Sequence, residues 1–268
     1  MNTVLQISDT HFGTEQAPVM QALLELNRSL EPDVVVLSGD ITQRARRSQF
    51  AAARRFVDQL KAPKLVTIPG NHDIPLFNLF ARAFQPYVNY SREFGTDLEP
   101  ELETQGLLII GVNTTRPARH TDGEVSDEQA ARVSARLAQA SASQLRIVVT
   151  HQPVHVIRES DVTNLLHGHE KAVRAWSAAG ADIIMGGHIH LPYVRSLADR
   201  FAGLSRRVWS VQAGTAVSYR VRDNQPNSVN VLRYPLGRSP VCRAERWDFD
   251  IRSGGFIPGE THELALER

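Results

Sequence analysis

Seven side chains, Asp9, His11, Asp40, Asn71, His151, His188 and His190, recur along the chain at positions that could build one reactive centre. Carboxylate and amide oxygens with imidazole nitrogens, and no thiolate among them, form a donor set for hard or borderline divalent or trivalent metals such as manganese, iron or zinc. A cysteine-based structural zinc site is excluded, because Cys242 is the only cysteine. Taken singly the pieces are common: Asp-x-His at 9–11, Gly-Asp at 39–40, Gly-Asn-His-Asp at 70–73, a histidine at 151 and Gly-His-x-His at 187–190. They become informative through position, since each follows a short apolar run.

Those runs, rich in Val, Ile and Leu, lie at 4–7, 33–37, 64–68, 107–112, 146–150 and 182–186 and predict β-strands. Helical patterns occupy 19–30, 48–60, 76–84, 126–140 and 169–179, with Ser126 as an expected N-cap. Alternating strands and helices imply a layered α/β architecture, in which ligand sites collect beyond the carboxyl ends of strands. Five turns can therefore converge. Gly39, Gly70, Gly186 and Gly187 sit among the donors and permit tight turns or close backbone approach. Past about residue 190 the helical signal stops, and segments 193–197, 206–212, 216–222, 228–234 and 241–249 carry β-type residues broken by Gly, Pro and Asn. That half predicts antiparallel strands. A mixed sheet packed on a second sheet, with helices outside, would use both halves in one core. Residues 251–268 receive no assigned role.

Composition narrows the class. Hydrophobic residues at 42% and charged residues at 22% are globular values, and 268 residues suit one domain spanning 1–268. A formal charge of +1 gives no broad cationic surface for extended nucleic acid. Arg44, Arg46, Arg47, Arg54 and Arg55 read as the solvated face of a helix whose other face carries Phe50, Ala53 and Phe56. No stretch is apolar enough to span a bilayer and no leader precedes the first strand, so a cytoplasmic protein without membrane insertion is expected.

In their order, each after a β-run, the five motifs resemble the calcineurin-like metallophosphoesterase superfamily over residues 9–190. The complete Gly-Asn-His-Asp and the chain length further resemble the bacterial class III cyclic-nucleotide phosphodiesterases and their glycerophosphodiesterase relatives. The resemblance implies an α/β fold of α+β type, a four-layer sandwich of two mixed sheets packed face to face. It implies two metal ions, manganese or iron with zinc as an alternative. One would sit on Asp9, His11, Asp40 and His190, the other on Asp40, Asn71, His151 and His188, with Asp40 bridging. Such a pair acts as Lewis acids and acidifies a water for in-line attack on phosphorus. His72 becomes the expected donor to the leaving alkoxide, and Asp73 the group expected to orient its ring.

Small phosphodiesters, with 3′,5′-cyclic nucleotides leading, are the expected substrates. A phosphomonoesterase or nuclease on the same metals is the alternative. A non-catalytic scaffold like the retromer subunit should have eroded ligands, which this chain does not. A homodimer is suggested by analogy with relatives. His120, in the turn-rich segment 114–123, and Asn113 are expected to contact substrate, while His155, His167, His169 and His262 read as surface residues. Phe77, Phe80, Phe84 and Tyr87 recur at helical spacing and read as core, with a base-stacking wall as the alternative. Tyr90 is a further residue that would reach the pocket on this reading. The segment Gln212 to Arg222 suits a substrate-facing turn.

Overall fold

Side-chain alternation along the central strands decides how the layers stack. In the computed structural model, which describes residues 1–267, the elements follow one another as β1 (Asn2–Ile7), α1 (Ala17–Leu30), β2 (Val34–Ser38), α2 (Arg47–Leu60), β3 (Leu65–Ile68), α3 (Leu79–Phe84), α4 (Val88–Phe94), β4 (Glu101–Glu103), β5 (Leu107–Gly111), α5 (Asp127–Ala138), β6 (Leu145–Val149), α6 (His169–Ala179), β7 (Ile183–Gly186), β8 (Tyr193–Ser196), β9 (Trp209–Gln212), β10 (Ser228–Tyr234), β11 (Val241–Asp250) and β12 (Gly255–Ala265). Two six-stranded mixed sheets result, in the orders β12-β11-β10-β1-β2-β3 and β4-β5-β6-β7-β9-β8. β1, β2 and β3 are parallel, as are β5, β6, β7 and β9.

Between the sheets, Val4, Val34, Val36, Val66 and Ile68 pack with Ile109, Ile147, Val149, Ile183 and Met185. The alternate residues Leu5, Ile7, Val35 and Leu37 point the other way, onto Val19 and Leu23 of α1 and Phe50 and Phe56 of α2. Leu108, Ile110, Val148 and Ile184 do the same against Val133 and Leu137 of α5 and Trp176 of α6. Both faces of the central parallel strands are thus covered, which is why those strands read as unbroken apolar runs. Each such buried aliphatic contributes roughly 1.5–3 kcal/mol relative to exposure. α5 starts where expected: the Ser126 hydroxyl accepts from Gln129 N, and Gln129 Oε1 accepts from Ser126 N.

Trp176 is the largest fully buried side chain, and its indole N–H donates to the Ala130 carbonyl at 3.3 Å, tying α6 to α5. Trp176→Ala is expected to cost about 3–5 kcal/mol of stability. Urea unfolding would show it as a lower midpoint at unchanged slope; a loss below about 1 kcal/mol would mean the helices are not clamped there.

Some sequence expectations need correction. The pattern over 76–84 becomes a helix only from Leu79, where the Asn78 side chain caps Ala81 N at 3.0 Å. α3 buries none of its residues, so Phe77, Phe80 and Phe84 stand 71–80% exposed and do not pack in the core. Tyr90 is buried beneath α2, its hydroxyl on Thr67, and does not reach a pocket. Residues 216–222 form a loop, because their backbone is spent on turns such as Ala216 N to Ser8 O and Tyr219 N to Thr14 O. β12 was not anticipated: it is an edge strand, mostly exposed, that contains Pro258.

Candidate metal centre

The turns that follow β1 and β2 are laced together before any side chain is considered. Asp9 N donates to Gly39 O at 3.1 Å, His11 N to Asp40 O at 3.0 Å and Phe12 N to Ile41 O at 2.8 Å. These bonds set Asp9, His11 and Asp40 side by side. Asp9, His11, Asp40, His188 and His190 all hold positive φ, between 43° and 74°. For residues other than glycine this costs on the order of 1–3 kcal/mol each and persists only where the surroundings impose it. Glycines make the close approach possible. Gly39 has φ 96°, and a Cβ there would fall 2.4 Å from His151 Nδ1; one on Gly70 would fall 2.1 Å from Asp40 N.

All seven expected ligands come together, with donor atoms in adjacent groups. Asp9, His11 and His190 form one and Asp40, His151 and His188 another, each with its donor atoms within 4.8 Å of one another. Asn71 Oδ1 lies 3.2 Å from His151 Nε2. Asp40 faces both sides, Oδ1 being 3.3 Å from His151 Nε2 and Oδ2 3.7 Å from His11 Nε2. Asp9, His11, Asp40 and His151 are buried, while His72, His188 and His190 are partly open to solvent.

Tautomers follow from the backbone. His151 Nδ1 is 2.9 Å from Ser38 O and His190 Nδ1 is 2.6 Å from Arg220 O. A carbonyl only accepts, so each Nδ1 carries a proton and, in the neutral ring, each Nε2 presents a lone pair. His190 Nε2 then meets His11 Nε2 at 3.0 Å and Asp9 Oδ1 at 3.3 Å. Acceptors this close repel unless a cation lies among them. Among the described residues, the buried Nδ1 atoms of His11 and His188 have no hydrogen-bond partner either. The donor set therefore fits divalent metal, and its carboxylates are held from behind, Asp9 by the Ser8 hydroxyl at 2.7 Å and Asp40 by His72 N at 2.8 Å.

Without metal, protons on His151 and His190 offset the same buried carboxylate charge. Burial alone would raise Asp9, but the hydrogen bond and charge of His190 bring its pKa down to about 2. Burial likewise opposes ionisation of Asp40, yet the charges of His151 and His72 hold it well below the usual carboxylate range. Burial would lower His151, but the Asp40 carboxylate outweighs it and raises it to about 9. Burial lowers His11 to about 3 and His188 to about 4, leaving both rings neutral and able to ligate.

Around this core the expected auxiliary residues divide. His72 has its Nδ1 on the Gln43 carbonyl at 2.9 Å and also lies within ligand range of His11 and Asp40. Asp73 does not orient it. Its carboxylate is consumed by Ile41 N, Thr42 N, Thr42 Oγ1 and Gly70 N at 2.8–3.0 Å, so it staples the β3 turn to the β2 turn. Burial and the nearby Asp40 charge raise Asp73 to about 6 against those donors. His120 is exposed and lines a narrow cleft with His72, Asn71 and Arg82. Asn113 is a correction: its side chain is engaged with Tyr87 and Thr115, and it lines a separate hollow with Glu99 and Gln129. Gln43 and Arg220 were not singled out from sequence. Arg220 lies inside the segment read as substrate-facing, and nothing local marks Gln43.

Candidate metal donors thus gather at the carboxyl ends of parallel strands in a helix–sheet–sheet–helix sandwich, an arrangement suited to a metallophosphoesterase. The chain belongs to the calcineurin-like phosphoesterase family, whose model matches residues 3–192. It is 25% identical over 205 residues to a probable cyclic nucleotide phosphodiesterase of Synechococcus sp., covering 72% of this chain and 75% of that one. It is 26% identical over 200 residues to a probable glycerophosphodiester phosphodiesterase of Arcobacter nitrofigilis, covering 70% and 71%. Among solved structures, a dimetal phosphatase from Danio rerio superposes with a TM-score of 0.64 at 13% identity, over 99% of both chains. The protein is a phosphoester hydrolase of this fold. Among the described residues, no helix is long and apolar enough to cross a membrane.

Proposed function

We propose that the chain hydrolyses small phosphodiesters, with cyclic nucleotides as the leading class. The observation that carries this reading is His72, set at the mouth of a centre whose seven donors converge. Asp9, His11, Asp40 and His190 would hold one metal, and Asp40, Asn71, His151 and His188 the other, manganese or iron with zinc as the alternative. When bound, the ions supply Lewis acidity toward phosphoryl oxygens and a water acidified for attack near neutral pH.

The remaining roles belong to the chain itself. Asp40, reaching both donor groups, fixes their relation, and the Ser38 and Arg220 carbonyls keep His151 and His190 in one tautomer. With Nδ1 tied to Gln43, His72 presents its Nε2, with the proton it would deliver as general acid, away from that anchor and on the cavity side. It donates that proton to the departing alkoxide, a step of most value for the poor leaving group of an unactivated diester. That cavity, about 680 Å³, has room for a nucleotide-sized substrate, and His120 lines the separate narrow cleft that shares His72 and Asn71 with it. The relatives named as cyclic nucleotide and glycerophosphodiester phosphodiesterases support a diester substrate. With Cys242 as its only cysteine, the chain suits the reducing cytoplasm.

Comparison of kcat/KM for cyclic AMP, a glycerophosphodiester, bis-nitrophenyl phosphate and nitrophenyl phosphate on one metal-loaded preparation tests the assignment. Both diester classes should exceed the monoester. A monoester preference rejects the diesterase reading, whereas turnover of the synthetic diester alone removes only the cyclic-nucleotide assignment.

A further inference from the structure

Two arginines of the loop after β9, Arg220 and Arg222, line the cavity in front of the centre, and their partners differ. The Arg222 guanidinium is neutralised by Asp161 at 2.8 Å and Asp223 at 3.2 Å. Arg220 has no carboxylate partner among the described residues. Its Nη1 donates to the Gln43 side-chain oxygen at 2.7 Å and lies 3.5 Å from His72 Nε2. Gln43 is neutral, so it orients the guanidinium without cancelling its charge, while its own carbonyl holds the other side of the His72 ring.

The main chain of Arg220 is equally fixed. Its N–H donates to Ser218 Oγ at 3.0 Å, and its carbonyl accepts from His190 Nδ1 and Thr215 Oγ1. A cation set this firmly, with most of its fork unspent, is preorganised for an anion, because the guanidinium plane matches two oxygens of a tetrahedral oxyanion.

We propose that Arg220 is a substrate-contacting residue that grips a non-bridging oxygen of the phosphoryl group on the His72 side of the centre. This rests on the phosphoesterase reading but not on the diester preference. The ligand Arg220 recognises is the phosphoryl anion itself, common to substrate and product, and the charge it offers counts most as negative charge builds on phosphoryl and leaving oxygens together. A purely positioning role would have Arg220 act only by steadying Gln43, and through it His72.

Titration calorimetry of inorganic phosphate into metal-loaded protein separates the two, with metal content and thermal midpoint recorded for every variant. Arg220→Gln should weaken phosphate binding about 10–100-fold at unchanged metal content, the usual range for a lost charge-assisted contact. Arg220→Lys, which keeps the charge and loses the fork, should recover part of that. Gln43→Ala, which keeps the cation, should weaken phosphate less than Arg220→Gln does. Undiminished phosphate affinity in Arg220→Gln, or an equal loss in Gln43→Ala, overturns the proposal and leaves the enzyme class intact. Failure of the diester panel would instead sink the diesterase reading alone, since phosphate binding requires only a phosphoester site.

Discussion

Asp40→Ala is expected to fold and yet to lose phosphoester turnover by about 10⁴-fold or more. The side chain is buried, and its two oxygens face different partners, one toward His151 and one toward His11. Among the described residues, no other joins the two donor groups in this way and also accepts a backbone bond from the Gly-Asn-His-Asp turn, here from His72 N. Removing it unlinks the two sets and unseats the turn that carries Asn71 and His72. A loss of that size corresponds to more than about 5 kcal/mol of barrier lowering, a share appropriate to a centre that both activates the nucleophile and orients the ester. Elemental analysis beside turnover gives the readout: the variant should hold less than the wild-type metal content. Asp40→Asn, which keeps the shape and one acceptor, should fall between. Full turnover by Asp40→Ala, or by wild-type protein stripped in chelator, would refute a metal-dependent hydrolase.

For His72→Ala, turnover of an unactivated diester should drop about 10²–10⁴-fold, the range for a positioned general acid, with metal content retained. Retention matters because the ring stands within ligand range of His11 and Asp40, so its position alone permits a second role as a ligand. The Nδ1 hydrogen bond to the Gln43 carbonyl holds the ring without any metal, so metal content separates the acid from the ligand. A nitrophenyl ester, whose leaving group needs little protonation, should suffer far less than cyclic AMP. If metal is lost along with activity, His72 is a ligand; if both substrates fall equally, it does not serve the leaving group.

β-strand ends were legible because apolar runs and the polar residues after them are local features. Six predicted strands agree with β1, β2, β3, β5, β6 and β7 to within two residues at each end. β12 escaped because an edge strand buries little and tolerates Pro258, so its pattern resembles a loop. Phe77, Phe80 and Phe84 misled for the opposite reason: their spacing is helical, but nothing in a spacing reveals whether a neighbouring element covers that face.

The sequence by itself determined the inventory of the centre: which oxygens and nitrogens exist, in what order, and that each follows a strand. Tertiary structure alone decided how they are held. Ser38, Gln43 and Arg220 act on His151, His72 and His190 through backbone carbonyls, and every residue has a carbonyl, so no residue type announces that duty. Asp73 shows the same limit from the other side. Its place next to His72 in sequence suggested a partner, but the turn directs its carboxylate to the amides of Ile41 and Thr42, more than thirty residues away, where buried N–H groups had to be satisfied. The left-handed backbone at Asp9, His11, Asp40, His188 and His190 belongs to this second class as well. It costs energy locally and is imposed by bonds between distant turns, within one sheet at Asp9 and His11 and across the two sheets at His188.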